Sequence, residues 1–286
     1  MDVLSDVLAV MRTGQPRSKQ MTWQAPWSQY FAPVPGAAGF HVNLAGPCWL
    51  TRPDTEPLHL AAGDIVFRPH GRGHTLAGHP PAAPDTTGPA TVTLCGAYEL
   101  DPTLMHPLLY DLPELIHIPA RPGRHPGLHA AVDQLAAELA RPRLGTDALV
   151  PLLLDALLLY LLRDWFDGQP VPHTTGWAAA LNDPVTAAAL QAIHRDPAHP
   201  WTVAGLAAEG GLSRAPFARR FTALVGRPPL SYLTWWRLTT AARRLRGDDA
   251  PLSAVATDVG YTSEFAFATA FKRQYGTAPG RYRRQR

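Results

Sequence analysis

Cys48 and Cys95 are the only cysteines in 286 residues, too few for a disulfide framework and unneeded as a staple at this length. No apolar run reaches the roughly 20 residues that a membrane span requires. The most apolar stretch, 148–162, is broken by Pro151 and Asp155, so no transmembrane helix is expected. The opening MDVLSDVLAVMR carries Asp2 and Asp6 where a secretory leader carries Lys or Arg, and a cytoplasmic protein is expected. Charged residues are sparse at 17%, but 46% of the chain is hydrophobic, which excludes a disordered chain. The 30 prolines, about twice the usual share near 5%, follow no period, which excludes a collagen-like repeat. A globular chain long enough for two domains remains.

Charge divides that chain. Residues 181–286 hold 15 Lys and Arg against 7 Asp and Glu, net +8, while residues 1–180 are net −5 and carry ten of the twelve histidines. A basic C-terminal third that ends in Arg281, Arg283, Arg284 and Arg286 suits a polyanion, most simply nucleic acid.

Periodicity divides the chain at the same place. After an amphipathic segment at 1–12, short β-type runs at 39–45, 47–51, 64–68 and 90–95 are separated by Gly and Pro, the pattern of a barrel or sandwich. Helical spacing follows at 102–110, 126–139 and 146–166, the last with Leu on two faces. One face suits the barrel; a partner subunit or an intramolecular bundle would cover the other. The Pro/Gly-rich stretch 167–176 reads as a linker between a domain at 1–166 and one at 177–286. Beyond it, helices are expected at 183–194, 202–209, 213–225, 229–246, 251–258, 262–275 and 279–283.

Two of these helix pairs share one grammar. Ala207 is small where helices cross, Gly211 turns, Ser213 caps, and Phe217 and Phe221 anchor a second helix at i,i+4. About fifty residues on, Val255 and Ala256 pack, Gly260 turns, Ser263 caps, and Phe267 and Phe271 anchor. A duplicated helix-turn-helix with Arg214, Ala215, Ala218 and Arg219 facing outward points to DNA. An αα-hairpin bundle without a DNA role is the plainer alternative.

Trp201-Thr-Val through Arg214, Phe217-Ala-Arg-Arg-Phe221, Gly226-Arg-Pro-Pro-Leu230, Tyr232-Leu-Thr-Trp-Trp-Arg-Leu238, Val259-Gly-Tyr-Thr-Ser-Glu264, Ala270-Phe-Lys-Arg273 and Gly276-Thr-Ala-Pro-Gly280-Arg-Tyr282 together resemble the DNA-binding domain of AraC/XylS-type transcription regulators. The resemblance implies two recognition helices in the major groove of double-stranded DNA. Ala215, Ala218 and Arg219 would read bases from the first helix, and Glu264, Phe265, Ala268 and Thr269 would lie at the groove from the second. Thr269 departs from the Arg common in the family, which leaves Phe265 to contact a thymine methyl. Arg214, Arg220, Lys272 and Arg273 would meet phosphates. The second Leu face of 146–166 points to a homodimer, and RNA polymerase is the further partner expected of a transcription regulator.

Upstream, Gly63-Asp-Ile-Val-Phe-Arg-Pro69-His-Gly71-Arg-Gly-His74 fits the second cupin motif. With Gly46-Pro-Cys-Trp-Leu50, Leu94-Cys-Gly96 and His106-Pro-Leu-Leu-Tyr-Asp-Leu-Pro113, it resembles the cupin-type sensing domain of one branch of that family. The first cupin motif is missing, since His41 and His59 are isolated and no Glu follows at the required spacing, so no catalytic metal centre or other cofactor is expected. His41, His74 and Cys95 have the ligand chemistry of a non-catalytic soft-metal site; a hydrogen-bonded His74 that shapes a pocket is the plainer reading. For Cys48 and Cys95, packing is weighed against a redox switch, which requires an accessible thiol of lowered pKa, with a His or Arg72 to lower it. Trp23, Trp27, Tyr30, Phe40, Trp49 and Phe67 supply cavity lining or core.

The expected fold is therefore α+β with two domains: a cupin-like β-barrel with flanking helices, then an all-α domain with two helix-turn-helix units. The expected function is sequence-specific regulation of transcription, controlled by a small molecule or redox signal, with His41, Cys48, His74 and Cys95 as candidate effector or redox residues. A metal-dependent cupin enzyme with a DNA-binding appendage and an architectural DNA binder are the alternatives.

Overall fold

The computed structural model describes residues 2–80, 88–100, 103, 105–121, 123–168 and 176–284, without the side chains of 11–15. Most of the expected linker, at 169–175, and the start of the helix expected at 102 lie outside the described residues. The chain forms two compact units. The helical unit comprises Gln169–Arg286 together with Met1–Met11 and Thr103–Asp111, which carry α1 (Val3–Met11) and α2 (Pro107–Tyr110). The sheet unit is Arg12–Pro102 and Leu112–Gly168. A linear cut at 166 therefore differs from the spatial division at two segments.

The sheet unit is built from β1 (Arg12–Trp23), β2 (Ser28–Phe31), β3 (Ala37–Ala45), β4 (Cys48–Thr51), β5 (Leu58–Leu60), β6 (Ile65–Arg68), β7 (His74–Ala77), β8 (Thr91–Leu100) and β9 (Ile116–Ile118). These form two antiparallel sheets, ordered β1-β8-β3-β6-β9 and β2-β7-β4-β5. Val66 of the first sheet packs with Trp27, Cys48, Leu50, Leu60 and Leu76 around the second, so the two faces share a core. The β-type runs at 39–45, 47–51, 64–68 and 90–95 become β3, β4, β6 and β8. Sequence periodicity misses β1 because it is an edge strand of mostly polar residues, with Pro16 at a register shift between Thr13 and Arg17. Edge strands lack a second hydrogen-bonded neighbour and tolerate both features.

In the same unit α3 (Pro126–Ala140) packs on α4 (Thr146–Asp167). Leu154, Leu157, Leu158, Leu161, Leu162 and Phe166 of α4 are buried, whereas Leu149, Leu152 and Tyr160 stay exposed. Among the described residues no helix is long and apolar enough to cross a membrane.

The helical unit continues with α5 (Gly176–Asn182), α6 (Pro184–Arg195), α7 (Val203–Glu209), α8 (Arg214–Val225), α9 (Pro229–Gly247), α10 (Leu252–Asp258), α11 (Glu264–Tyr275) and α12 (Pro279–Arg283). Helices α6 to α12 start and end within about two residues of the expected bounds. Local chemistry sets several starts: Asp183 accepts from the amide of Thr186, and Thr202 from that of Gly205. The N-terminal α1 packs on α6 and α9 and buries Val3, Asp6, Val7 and Val10, the i,i+3,i+4,i+7 stripe of an amphipathic helix.

Candidate nucleic-acid interface and ligand cavity

The two helix-turn-helix units repeat the hydrogen bond that closes their turns as well as their key residues. The amide of Leu212 donates to the carbonyl of Ala207 at 3.0 Å, and that of Tyr261 to the carbonyl of Ala256 at 2.9 Å. Gly211 and Gly260 make the turns at φ +70° and +82°. At Gly260 a Cβ would stand 2.7 Å from the carbonyl oxygen of Ala198, so the residue is needed for space as well as for backbone conformation. Phe217, Phe221, Phe267 and Phe271 are fully buried, which fixes the opposite faces of α8 and α11 toward solvent.

The repeat extends past the expected pair into a third helix. Gly226 and Gly276 end α8 and α11 in the left-handed region, donating to the carbonyls of Thr222 and Lys272. Pro229 and Pro279 then open α9 and α12, and Tyr232 and Tyr282 are buried at matching positions. Helix α9, with 19 residues, is about 28 Å long and packs against both α8 and α11.

The outward faces carry the expected residues. Arg214, Ala215 and Arg219 on α8 and Glu264, Phe265, Thr269, Lys272 and Arg273 on α11 are exposed, and Ala218 and Ala268 are half-buried beside them. Phe265 is 82% exposed, an apolar ring with no internal packing role. Ser263 accepts from the amide of Ala266 at 3.4 Å, whereas Ser213 holds the N-cap position without a side-chain hydrogen bond. Arg220 differs from its neighbours because it is bonded to Asp183, the cap of α6. Its guanidinium is thus tied to the fold, a pairing that the separation of 37 residues hides from sequence reading.

In the sheet unit, strand register assembles a second site. Phe31 stands opposite His74 in the β2/β7 pair, and His41 opposite Cys95 in the β3/β8 pair. The two pairs meet: His41 Nε2 is 2.6 Å from His74 Nε2, and His41 Nδ1 is 2.9 Å from Cys95 Sγ. Arg68, the last residue of β6, donates to His74 Nδ1. Because a guanidinium only donates, this bond fixes the tautomers. His74 carries its proton on Nε2 and gives it to His41 Nε2; His41 then donates from Nδ1 to Cys95. Phe31 stacks on His74 with centroids 4.9 Å apart. These groups line a cavity of about 300 Å³. Gly71, at φ +59°, lets the β6–β7 turn run 2.7 Å, at a would-be Cβ, from the carbonyl oxygen of Ala37.

Burial lowers the pKa of His41 well below the usual imidazole value, helped by His74 and Arg68. Burial and Arg68 hold His74 down at about 4. Both rings are neutral at pH 7. Each thiol moves opposite to what a redox switch needs: burial pushes Cys48 up to about 12 and Cys95 up to about 11. Cys48 is core, and Arg72 pairs with Glu114 at 2.9 Å. The residues also do not fit a metal. His41 spends both ring nitrogens on its neighbours, and among the described residues no three His, Cys, Asp or Glu side chains are arranged to hold one ion. Arg68 and Phe31 were not singled out in the sequence, although an Arg ending the wholly buried strand 65–68 is a signal that periodicity passes over. Of the aromatics expected at a cavity, Phe40, Phe67 and Trp27 are buried core, and Tyr30 is exposed.

Comparison with known proteins agrees with this geometry. A helix-turn-helix domain model matches residues 206–285, and a cupin model matches 2–167. A Streptomyces antibioticus protein described as an AraC-like transcription regulator is 35% identical, over 99% of this chain and 99% of its own. The chain belongs to the AraC family of transcription regulators. Another relative, the HTH-type transcriptional regulator AlkR of Acinetobacter baylyi, is 30% identical over the whole of both chains. Among solved structures, the DNA-binding domain of AdpA in complex with a target DNA is 34% identical and covers 36% of this chain and 92% of its own, with a TM-score of 0.34. As an AraC-family member, the chain is a DNA-binding transcription regulator with a cupin-like N-terminal domain and an AraC-type helix-turn-helix domain.

Proposed function

We propose that the protein regulates transcription by presenting α8 and α11 to successive major-groove faces of one operator, under control of a small molecule bound in the cavity of the sheet unit. Along the chain, residues 1–166 carry the sensing and dimerisation domain, with Met1–Met11 and Thr103–Asp111 packed in the helical unit, 167–176 the linker and 177–286 the DNA-binding domain. Arg219 is the principal base reader; Arg214, Lys272 and Arg273 neutralise phosphates, and Phe265 meets a thymine methyl. The observation that carries this reading is the repetition of the turn bonds and Phe anchors in the two helix-turn-helix units, each of which exposes Arg or Lys on its second helix.

Chain continuity supplies a route for the signal. Strands β1 and β8 line the cavity with Arg17, Lys19 and Cys95, and in the chain β1 follows Met1–Met11 while β8 precedes Thr103–Asp111, both segments of the helical unit. A ligand that favours one arrangement of those strands shifts how the recognition helices are presented, in proportion to its differential affinity. The exposed Leu149, Leu152 and Tyr160 of α4 lie at i, i+3 and i+11, one side of a helix, and support a homodimer. RNA polymerase completes the partners, the setting is the cytoplasm, and no catalytic step is assigned.

The test is to incubate the full-length protein with fragmented genomic DNA of its source and sequence the fragments recovered. Discrete peaks that share a motif are expected. Diffuse recovery, with and without cell extract supplying small molecules, would refute site-specific regulation.

A further inference from the structure

We propose that the cavity of the sheet unit is an anion site for a small organic carboxylate with a short apolar body, and that Arg68 is its counter-charge. The proposal rests on reading this cavity as the sensing site and adds the chemistry of what it senses.

Arg68 is 4% exposed, and among the described residues no carboxylate lies within ion-pair distance of it. Its Nη1 donates to His74, its Nη2 reaches the carbonyl of Gly73 at 3.4 Å, and its Nε is buried without any partner. Buried cations are costly unless paired, so a guanidinium held here with an open donor is a site lacking its anion. Burial lowers its pKa to about 10, which still leaves it charged at neutral pH.

The surroundings repeat that sign. Among the described residues no Asp or Glu lines the cavity, whereas Arg17 and Lys19 of β1 do. Both are exposed and, among the described residues, neither meets a carboxylate. Arg72 is already balanced by Glu114. Fixed positive charge in a concave, low-dielectric wall draws an anion and orients it. The remaining wall is apolar, with Phe31, Val34, Ala37 and Ala97, and so favours an organic body over a bare inorganic ion. One buried guanidinium matches one buried negative charge. A cavity of about 300 Å³ has room for a small organic acid such as benzoate or hexanoate.

The full-length protein would be titrated calorimetrically at pH 7.5 with sodium benzoate and sodium hexanoate, with the isosteric benzamide and hexanamide, and with inorganic phosphate. Each carboxylate is expected to bind at least about ten-fold tighter than its amide, the worth of one charge-assisted contact. Arg68→Gln should erase that preference, and Arg68→Lys, which keeps the charge, should restore part of it. Should Arg68→Gln fail to fold, the acid-to-amide ratio on the unaltered protein still decides, with Lys19→Gln expected to weaken the acids about two-fold to five-fold. In wild-type protein, proton NMR should show the pKa of His74 rising on benzoate binding, because the anion offsets the Arg68 charge. Equal affinity for acids and amides, binding of phosphate alone, no binding of either acid at tens of millimolar, or full acid affinity in Arg68→Gln would each overturn the proposal. Operator affinity read in the same samples separates the two layers. Benzoate bound through Arg68 without any change in DNA affinity supports the anion site and removes the sensing role. A neutral amide that alters DNA affinity where the acids do not bind keeps the sensing role and removes the anion site.

Discussion

Arg219 and Arg220 are adjacent on α8 and have different fates. Among the described residues Arg219 meets no carboxylate and is exposed, while Arg220 is held by Asp183. Arg219→Ala should therefore cost roughly 1–3 kcal/mol at the preferred operator and much less at mismatched sites, flattening the preference. Competition binding across single-base operator variants measures this, and an unchanged preference would place the reader elsewhere. Lys272→Ala should instead weaken all sites alike and lower the slope of log affinity against log salt by about 1. The exposed readers were legible in the sequence because they follow from a short turn and two Phe anchors. The Asp183–Arg220 and Arg68–His74 pairings were not. The first joins residues far apart in the chain, and the second depends on a turn that carries the chain from one sheet to the other.

At the scale of elements, helices α6 to α12 were readable because each has a periodic apolar stripe and a Gly, Pro or capping residue at its ends. β1 was not, since an edge strand paired on one side only needs no alternation. Spatial membership was also hidden: nothing local in 1–11 says that α1 belongs with helices nearly two hundred residues later. That placement has a consequence. Val3, Val7 and Val10 are buried and Asp6 stands 3.4 Å from His194 Nδ1, so removal of residues 2–11 uncovers apolar surface on α6 and α9. At about 1.5 kcal/mol or more per buried Val, the helical unit should lose on the order of several kcal/mol. Urea unfolding of the full-length and shortened proteins, followed by tryptophan fluorescence, provides the measure. Equal midpoints would show that α1 is an appendage. For the same reason a fragment beginning at 177 should be less stable than the same helices in the whole protein.

For the whole molecule, both units share a sensitivity to acid built from buried imidazoles. In the helical unit Tyr232 Oη lies 2.9 Å from His106 Nε2 and 2.7 Å from His194 Nε2. His106 Nδ1 accepts from the amide of Leu108, so His106 donates to Tyr232, and Tyr232 donates to His194. Burial lowers both pKa values: His106 far down, and His194 less because Asp6 opposes the shift. With His41 and His74 in the sheet unit, four histidines are held neutral in the fold. An imidazole freed by unfolding takes a proton near pH 6.5. Between that pH and the lower folded value the unfolded chain binds more protons, so stability falls as pH falls. For His74, from 6.5 to about 4, the loss is about 3 kcal/mol at 1.36 kcal/mol per pH unit. Denaturant unfolding at pH 7.5, 6 and 5 should therefore show midpoints dropping steadily, with little change above pH 7.5. His74→Gln removes one titrating ring and should flatten the slope; His59→Gln, which replaces an exposed ring, should not. A midpoint constant from pH 7.5 to 5 would mean that these rings gain protons in the folded state, and the fixed donor direction from Arg68 to Cys95 would then be lost within the same range.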